Sequence, residues 1–308
     1  MQWNQIKTLF ILCFLILNIF LLQEFVEKRE QVDLELLSDS STEEKITDNI
    51  KGLEDLSDET VNESYISAKR KQFTLEDVET LEDKTEQEAA IINGNVLYSK
   101  LEEPISLSED TTNDLVQETL ESTVLSGSNY HLWNRNEDTN TMIFFQHNQD
   151  LPIYYSQTAY VLFIMNEQNQ VTHYIQTMLE DIEEGEPKQL IKPSDAVANI
   201  YSKGSLKVND EVTADKLGYY QALSSTENEV QVYAPTWKIT INGNQDYFVN
   251  AVEGHSLSNG DISFLQKTAD GLLTASPDTE ETENEEALVD EVSTLLEEIL
   301  EITRVSGE

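Results

Sequence analysis

The sequence predicts an α+β fold, in which one N-terminal transmembrane helix precedes a body of two similar helix-plus-antiparallel-sheet subdomains. Three observations predict it. An apolar block, Leu9 to Leu22, lies near the start of the chain. Two amphipathic stretches, near Leu115 and near Val197, each lead into several short β-type runs. Asn-Gly and Asn-rich turn signals separate those runs. The segments divide at 1–26 (cytoplasmic N-terminus and anchor), 27–62 (juxtamembrane stalk), 63–185 and 186–275 (the two subdomains) and 276–308 (acidic tail).

With its flanks Trp3, Ile6, Phe25 and Val26, the apolar block reaches the roughly 20 residues that cross a hydrocarbon core. No small-residue cleavage motif follows Leu22, so an uncleaved anchor is expected. The short N-terminal flank places the N-terminus inside and the bulk of the chain outside. Asn18 lies deep in this block. Its amide either bonds a neighbouring helix or satisfies its own backbone. With Phe14 and Leu21 it forms the expected transmembrane partner contact.

The stalk, 27–62, is charged and helix-permissive. Glu63 to Phe73 reads as a strand followed by the basic cluster Lys69-Arg70-Lys71, which either binds an anionic polymer or offsets the surrounding acid. Ile91-Ile92, the turn Asn93-Gly94 and Val96-Leu97-Tyr98 give a hairpin. A helix is expected from Ser108 to about Leu125, ended by Gly127. Strands follow at Tyr130–Trp133, Met142–Gln146, Ala159–Met165 and Val171–Met178.

A second helix starts at Pro193 with Ser194 as its cap and stops at Gly204. Strands are then expected at Lys216–Leu223, Val230–Ala234, Thr236–Ile241 and Tyr247–Val252, with Asn242 to Asp246 closing the last hairpin. An exposed edge there would suit a partner, which makes Trp237, Tyr247 and Phe248 the candidate ectodomain contact; the plainer reading of the same residues is an ordinary sheet core. In the tail, Leu288, Val292, Leu295, Ile299 and Ile302 recur at steps of four and three. The expectation is disorder or a marginal amphipathic helix.

Composition narrows the function. Of 308 residues, 59 are acidic and 19 basic, for a net charge of −40. Such a surface repels phosphate backbones, so no nucleic acid partner is expected. It suits a high-salt or cation-rich wall environment. Hydrophobic residues make up 39%, with twelve Tyr and ten Phe, which is core material for a folded body. Cys13 is the sole cysteine, so neither a disulfide nor a CxxC site can form. His131, His147, His173 and His255 show no metal-ligand spacing, and the chain has no HExxH, GxSxG, Walker or GxGxxG motif. No enzyme activity, metal or cofactor is expected.

The N-terminal run Met1 to Leu22 resembles that of the YycI (WalI) family. The resemblance extends to Asn93-Gly-Asn-Val-Leu-Tyr-Ser99, to Tyr233-Ala-Pro-Thr-Trp-Lys-Ile239 and to Tyr247-Phe-Val-Asn-Ala-Val-Glu-Gly254, up to about Lys267. It implies a membrane-anchored accessory protein of a Gram-positive cell-wall two-component system. The expected partners are a YycH-like protein and a sensor histidine kinase of the WalK (YycG) type. The family offers no catalytic residues to carry over. The rival expectation is an extracytoplasmic module that binds a wall polymer or peptide.

Overall fold

Residues that alternate or run apolar in the sequence become strands buried on one or both faces. The computed structural model describes residues 46–108, 110–224, 230–257, 260–274 and 283–306, together with Lys7, Phe10, Phe14, Leu15, Leu17 and Asn18. Its elements in chain order are β1 (Asn62–Glu63), β2 (Ile66–Arg70), α1 (Leu75–Lys84), β3 (Gln87–Ile92) and β4 (Val96–Ser106). Next come α2 (Asn113–Thr123), β5 (Tyr130–Asn136), β6 (Thr141–Asn148), β7 (Leu151–Tyr154), β8 (Tyr160–Met165), β9 (Gln170–Gln176), β10 (Leu179–Glu184) and β11 (Lys188–Gln189). The remainder is α3 (Pro193–Ser202), β12 (Val212–Ser224), β13 (Val230–Ile241), β14 (Gln245–Asn250), β15 (Ser256–Leu257), α4 (Asp261–Thr274) and α5 (Glu283–Ser306).

The first sheet runs β5-β6-β8-β9-β4-β3, antiparallel throughout. Its central strand β8 is buried at every position because helices cover both faces. Phe144, Val161 and Phe163 point at α1 and α2, together with Leu81, Val116 and Leu120. Ile143, Phe145, Leu162 and Ile164 point the other way, at Phe264 of α4 and at Val292, Leu296 and Ile299 of α5. The tail therefore supplies a docked helix whose apolar seam closes one face of the sheet.

The second sheet is built on β13. One edge pairs with β12 along its length. The other edge is divided: Val230–Tyr233 pair with β2, and Thr236–Ile241 pair with β14. The sequence reading broke this strand at Pro235, yet it runs through. The Pro235 carbonyl accepts from Ala251 N at 2.8 Å, so its missing N–H faces the gap between the two partners and no ladder bond is lost. On one face of this sheet Trp237, Ile239 and Val249 pack with α3 and with Ile46 and Ile50 of the stalk.

The boundary at 185/186 is crossed by the hydrogen bonding. Strands β2 and β10, which precede it, pair with each other, and β2 joins β13, which follows it. Strand β7 connects the two sheets, antiparallel to β6 and parallel to β12. Gly218 of β12 makes this join possible: a Cβ there would lie 2.4 Å from the Tyr154 ring.

Local signals were mostly read correctly, with shifts in the caps. Asn93 and Gly94 both have positive φ, 50° and 71°, as a two-residue hairpin turn requires. Helix α2 starts after Thr112, whose hydroxyl accepts from Leu115 N at 3.4 Å, whereas the Ser108 hydroxyl is engaged with Thr111. Helix α3 is capped by Lys192 in place of Ser194, because Asp195 reaches back to the Lys192 N–H at 3.1 Å. Among the described residues no helix is long and apolar enough to cross a membrane. The expected span at 3–26 lies largely outside them, and so does Leu21.

Candidate functional site

The described N-terminal residues are helical, and their apolar side chains are open. Phe10, Phe14, Leu15 and Leu17 range from 51% to 74% exposed. They are four of the eight large apolar side chains that stand exposed among the described residues. Asn18 Nδ2 donates to the Phe14 carbonyl at 2.8 Å, one turn back, so its amide is used within its own helix.

The three aromatics of the β13–β14 hairpin fall on two different faces. Trp237 is buried at 5% exposure, and its Nε1 donates to the Ile191 carbonyl at 2.9 Å. Tyr247 shares that face and is half-buried, with its hydroxyl donating to the Ser205 carbonyl at 3.0 Å. Phe248, at 1% exposure, points to the opposite face. Strand β15 covers the outer edge of β14 at Phe248 and Val249. The outer edge at Gln245–Tyr247 has no strand beside it among the described residues.

Phe248 enters an aromatic junction that the sequence reading missed. Its centre is Trp133, which has no cross-strand partner because β5 bulges between Leu132 and Asn134. A bulge re-aims the side chain it carries. The Trp133 ring lies 5.2 Å from Phe145, 5.6 Å from Tyr154 and from Tyr155, and 6.4 Å from Phe248. Lys238 Nζ sits 4.8 Å over its ring and pairs with Asp246 at 3.1 Å.

Asp261, the first residue of α4, ties this junction together. It accepts from Trp133 Nε1 at 2.8 Å, from Asn134 Nδ2 at 2.6 Å and from the Tyr155 hydroxyl at 2.9 Å. Burial first, and the Asp261 charge next, push the Tyr155 phenol far above its usual range, which keeps it a donor. Nearby, the His131 and His147 rings are 4.3 Å apart. Burial, helped by His131, pushes the His147 imidazole down to about 4. Every polar group of the Asp261 cluster is engaged in holding another, which describes a joint. Among the described residues no three His, Cys, Asp or Glu converge on a metal position.

The basic cluster separates into individual roles. Lys69 pairs with Asp181 at 3.0 Å and Lys71 with Asp77 at 3.3 Å, so both offset local acid. Arg70 is directed instead toward the Gln231 side-chain oxygen, with Nε at 2.7 Å in the amide orientation that satisfies both groups. Tyr233 and Thr158 complete that network. Arg70 also borders a cavity of about 310 Å³ between α4, the β3–β4 turn and the first sheet.

Sheets that interleave two stretches of chain around a ring-filled joint make this an α+β body assembled as one packed unit. The chain belongs to the YycI protein family, whose model matches residues 31–252. A 1.45 Å crystal structure of an uncharacterized protein from Eubacterium rectale ATCC 33656 is similar at 13% identity, covering 68% of this chain and 89% of that one. Its TM-score is 0.39, too low to support an inference. No curated protein matches. Helices α4 and α5 lie beyond the matched residues.

Proposed function

We propose that this protein is a membrane-anchored accessory regulator of a cell-wall sensor histidine kinase of the WalK (YycG) type, acting with a YycH-like partner. The observation that carries this reading is the family match over residues 31–252. Membership in the YycI family points to regulation of the WalK/WalR two-component system rather than to catalysis.

A regulator of this kind works by preference. It shifts a two-state kinase only to the extent that it binds one state better than the other. Two places on the chain suit that preference. One is the segment 3–26, with Phe14, Asn18 and Leu21. The exposure of Phe10, Phe14, Leu15 and Leu17 supports it, because these side chains need lipid or another helix around them. Asn18 Nδ2 bonds its own backbone, which leaves shape complementarity of the apolar face as the main source of discrimination. The other is the outer edge of β14 at Gln245–Tyr247, with half-buried Tyr247 at that edge and Trp237 and Phe248 fixing the hairpin from opposite faces. The body lies on the extracytoplasmic side and the N-terminus in the cytoplasm.

The test is to exchange residues 3–26 for an unrelated single-span helix in the full-length protein and to read kinase autophosphorylation in proteoliposomes containing the kinase and the YycH-like protein. Loss of the protein's effect on the kinase is expected. An unchanged effect would remove the anchor helix from the mechanism.

A further inference from the structure

The cavity beside Arg70 has a wall unlike the rest of the molecule. Acids are 59 of the 308 residues, roughly one in five, yet no carboxylate lines it. Two cations do, Arg70 from the end of β2 and Lys267 from α4, and neither forms an ion pair among the described residues. The Gln231 oxygen accepts from Arg70 Nε at 2.7 Å and from Nη2 at 3.3 Å and so fixes the guanidinium plane. A guanidinium has five N–H donors, so donors remain for an oxyanion, which Arg recognises in bidentate fashion. Tyr160 and Leu272 also line it, as does Thr158.

Gly271 of α4 is a further lining residue of this space. It lies inside α4, where glycine costs about 1 kcal/mol relative to alanine. A Cβ built on it meets nothing within 4 Å, so close packing does not require glycine here. It borders the cavity at its exposed rim. At about 310 Å³ the cavity matches the smaller ligand sites of proteins, roughly 300–1,000 Å³.

The geometry points to a binding site for a small organic oxyanion, a carboxylate or phosphate with a short apolar arm, held by Arg70 and Lys267 with the arm against Tyr160 and Leu272. An occupant would bridge α4 to the end of β2. This site is independent of the family reading, and it gives the body a place for a chemical input whether or not a kinase is the output.

Full-length 15N-labelled protein in detergent micelles, titrated with butyrate, butyl phosphate and 1-butanol, tests it. One or both anions should shift the Gly271 and Lys267 amide resonances, and the neutral alcohol should not. Butyrate alone would assign the site to carboxylates and butyl phosphate alone to phosphates. Arg70→Gln and Gly271→Leu should each weaken anion binding at least tenfold, while Lys203→Gln, at an exposed lysine that ends α3 and does not line the cavity, leaves it unchanged. Gly271→Leu should also melt no lower than the native protein, which separates blocked binding from misfolding. Equal shifts with the alcohol, no shift with either anion, or unaltered affinity in both cavity variants would overturn the assignment.

Discussion

Asp261 shows how much one carboxylate can organise. It receives three hydrogen bonds, from β5 and from the segment after β7, and so joins α4 to the first sheet. Asp261→Ala leaves the Trp133 N–H and the Tyr155 hydroxyl without their acceptor. Unsatisfied groups of this kind cost about 1–3 kcal/mol each when buried, and less when partly exposed, so a loss of about 2–3 kcal/mol is expected. Urea unfolding followed by tryptophan fluorescence checks it, and Asp261→Asn, which retains one acceptor, should lose less. His147 gives a pH-dependent counterpart. Unfolded, it takes its proton near the ordinary 6.5; folded, near 4, so between these values the unfolded chain binds more protons. This residue therefore lowers stability progressively as pH falls from about 6.5 to 4. His147→Gln should remove that contribution: the stability difference between variant and native should move in the variant's favour between pH 7 and pH 4.5. The roles of these residues were not legible in the sequence. A bulge that turns Trp133 inward, and an aspartate 128 positions away that meets it, are contacts of tertiary pairing with no local pattern.

At the scale of elements, periodicity carried the reading and long-range closure did not. Of the five residues at steps of four and three in the tail, Leu288, Val292 and Ile299 are buried in α5, whereas Leu295 and Ile302 are half-buried and the buried positions beside them are Leu296 and Leu300, because the helix meets both a sheet and α4. An amphipathic stretch looks marginal alone and becomes firm only when a sheet face receives it. The apolar seam, rather than charge, holds it there. The Lys100–Glu291 pair, at 2.6 Å, joins half-exposed side chains and contributes at most about 1 kcal/mol. Val292→Asp places a charge in the fully buried seam and should cost about 3 kcal/mol or more, whereas Glu291→Gln should cost under about 1 kcal/mol. Denaturant midpoints of the two variants, compared at equal slope, decide between seam and ion pair. Helix α1 went unnoticed although Thr74 and Asp77 form a reciprocal cap, because its single buried residue, Leu81, leaves no apolar stripe to detect.

Across the whole molecule, two features set what the protein can do. Its interleaved sheets join the early and late parts of the chain through β2, β10 and β7, and Trp133 of the first sheet meets Phe248 of the β13–β14 hairpin. Its charge of −40 disfavours contact with anionic surfaces. The α+β class was legible from apolar runs between turn signals, since β8 is apolar along its whole length and β6 over Met142–Phe145. The interleaving was not, because a chain read in order gives no sign that β2 waits for β13. Affinity purification of the full-length protein from membranes of its own cells, in mild detergent, measures the central proposal most directly. Recovery of a sensor histidine kinase together with a YycH-like protein, at comparable stoichiometry, is the predicted result. Recovery of the intact protein with neither, under conditions that preserve other membrane complexes, would contradict it.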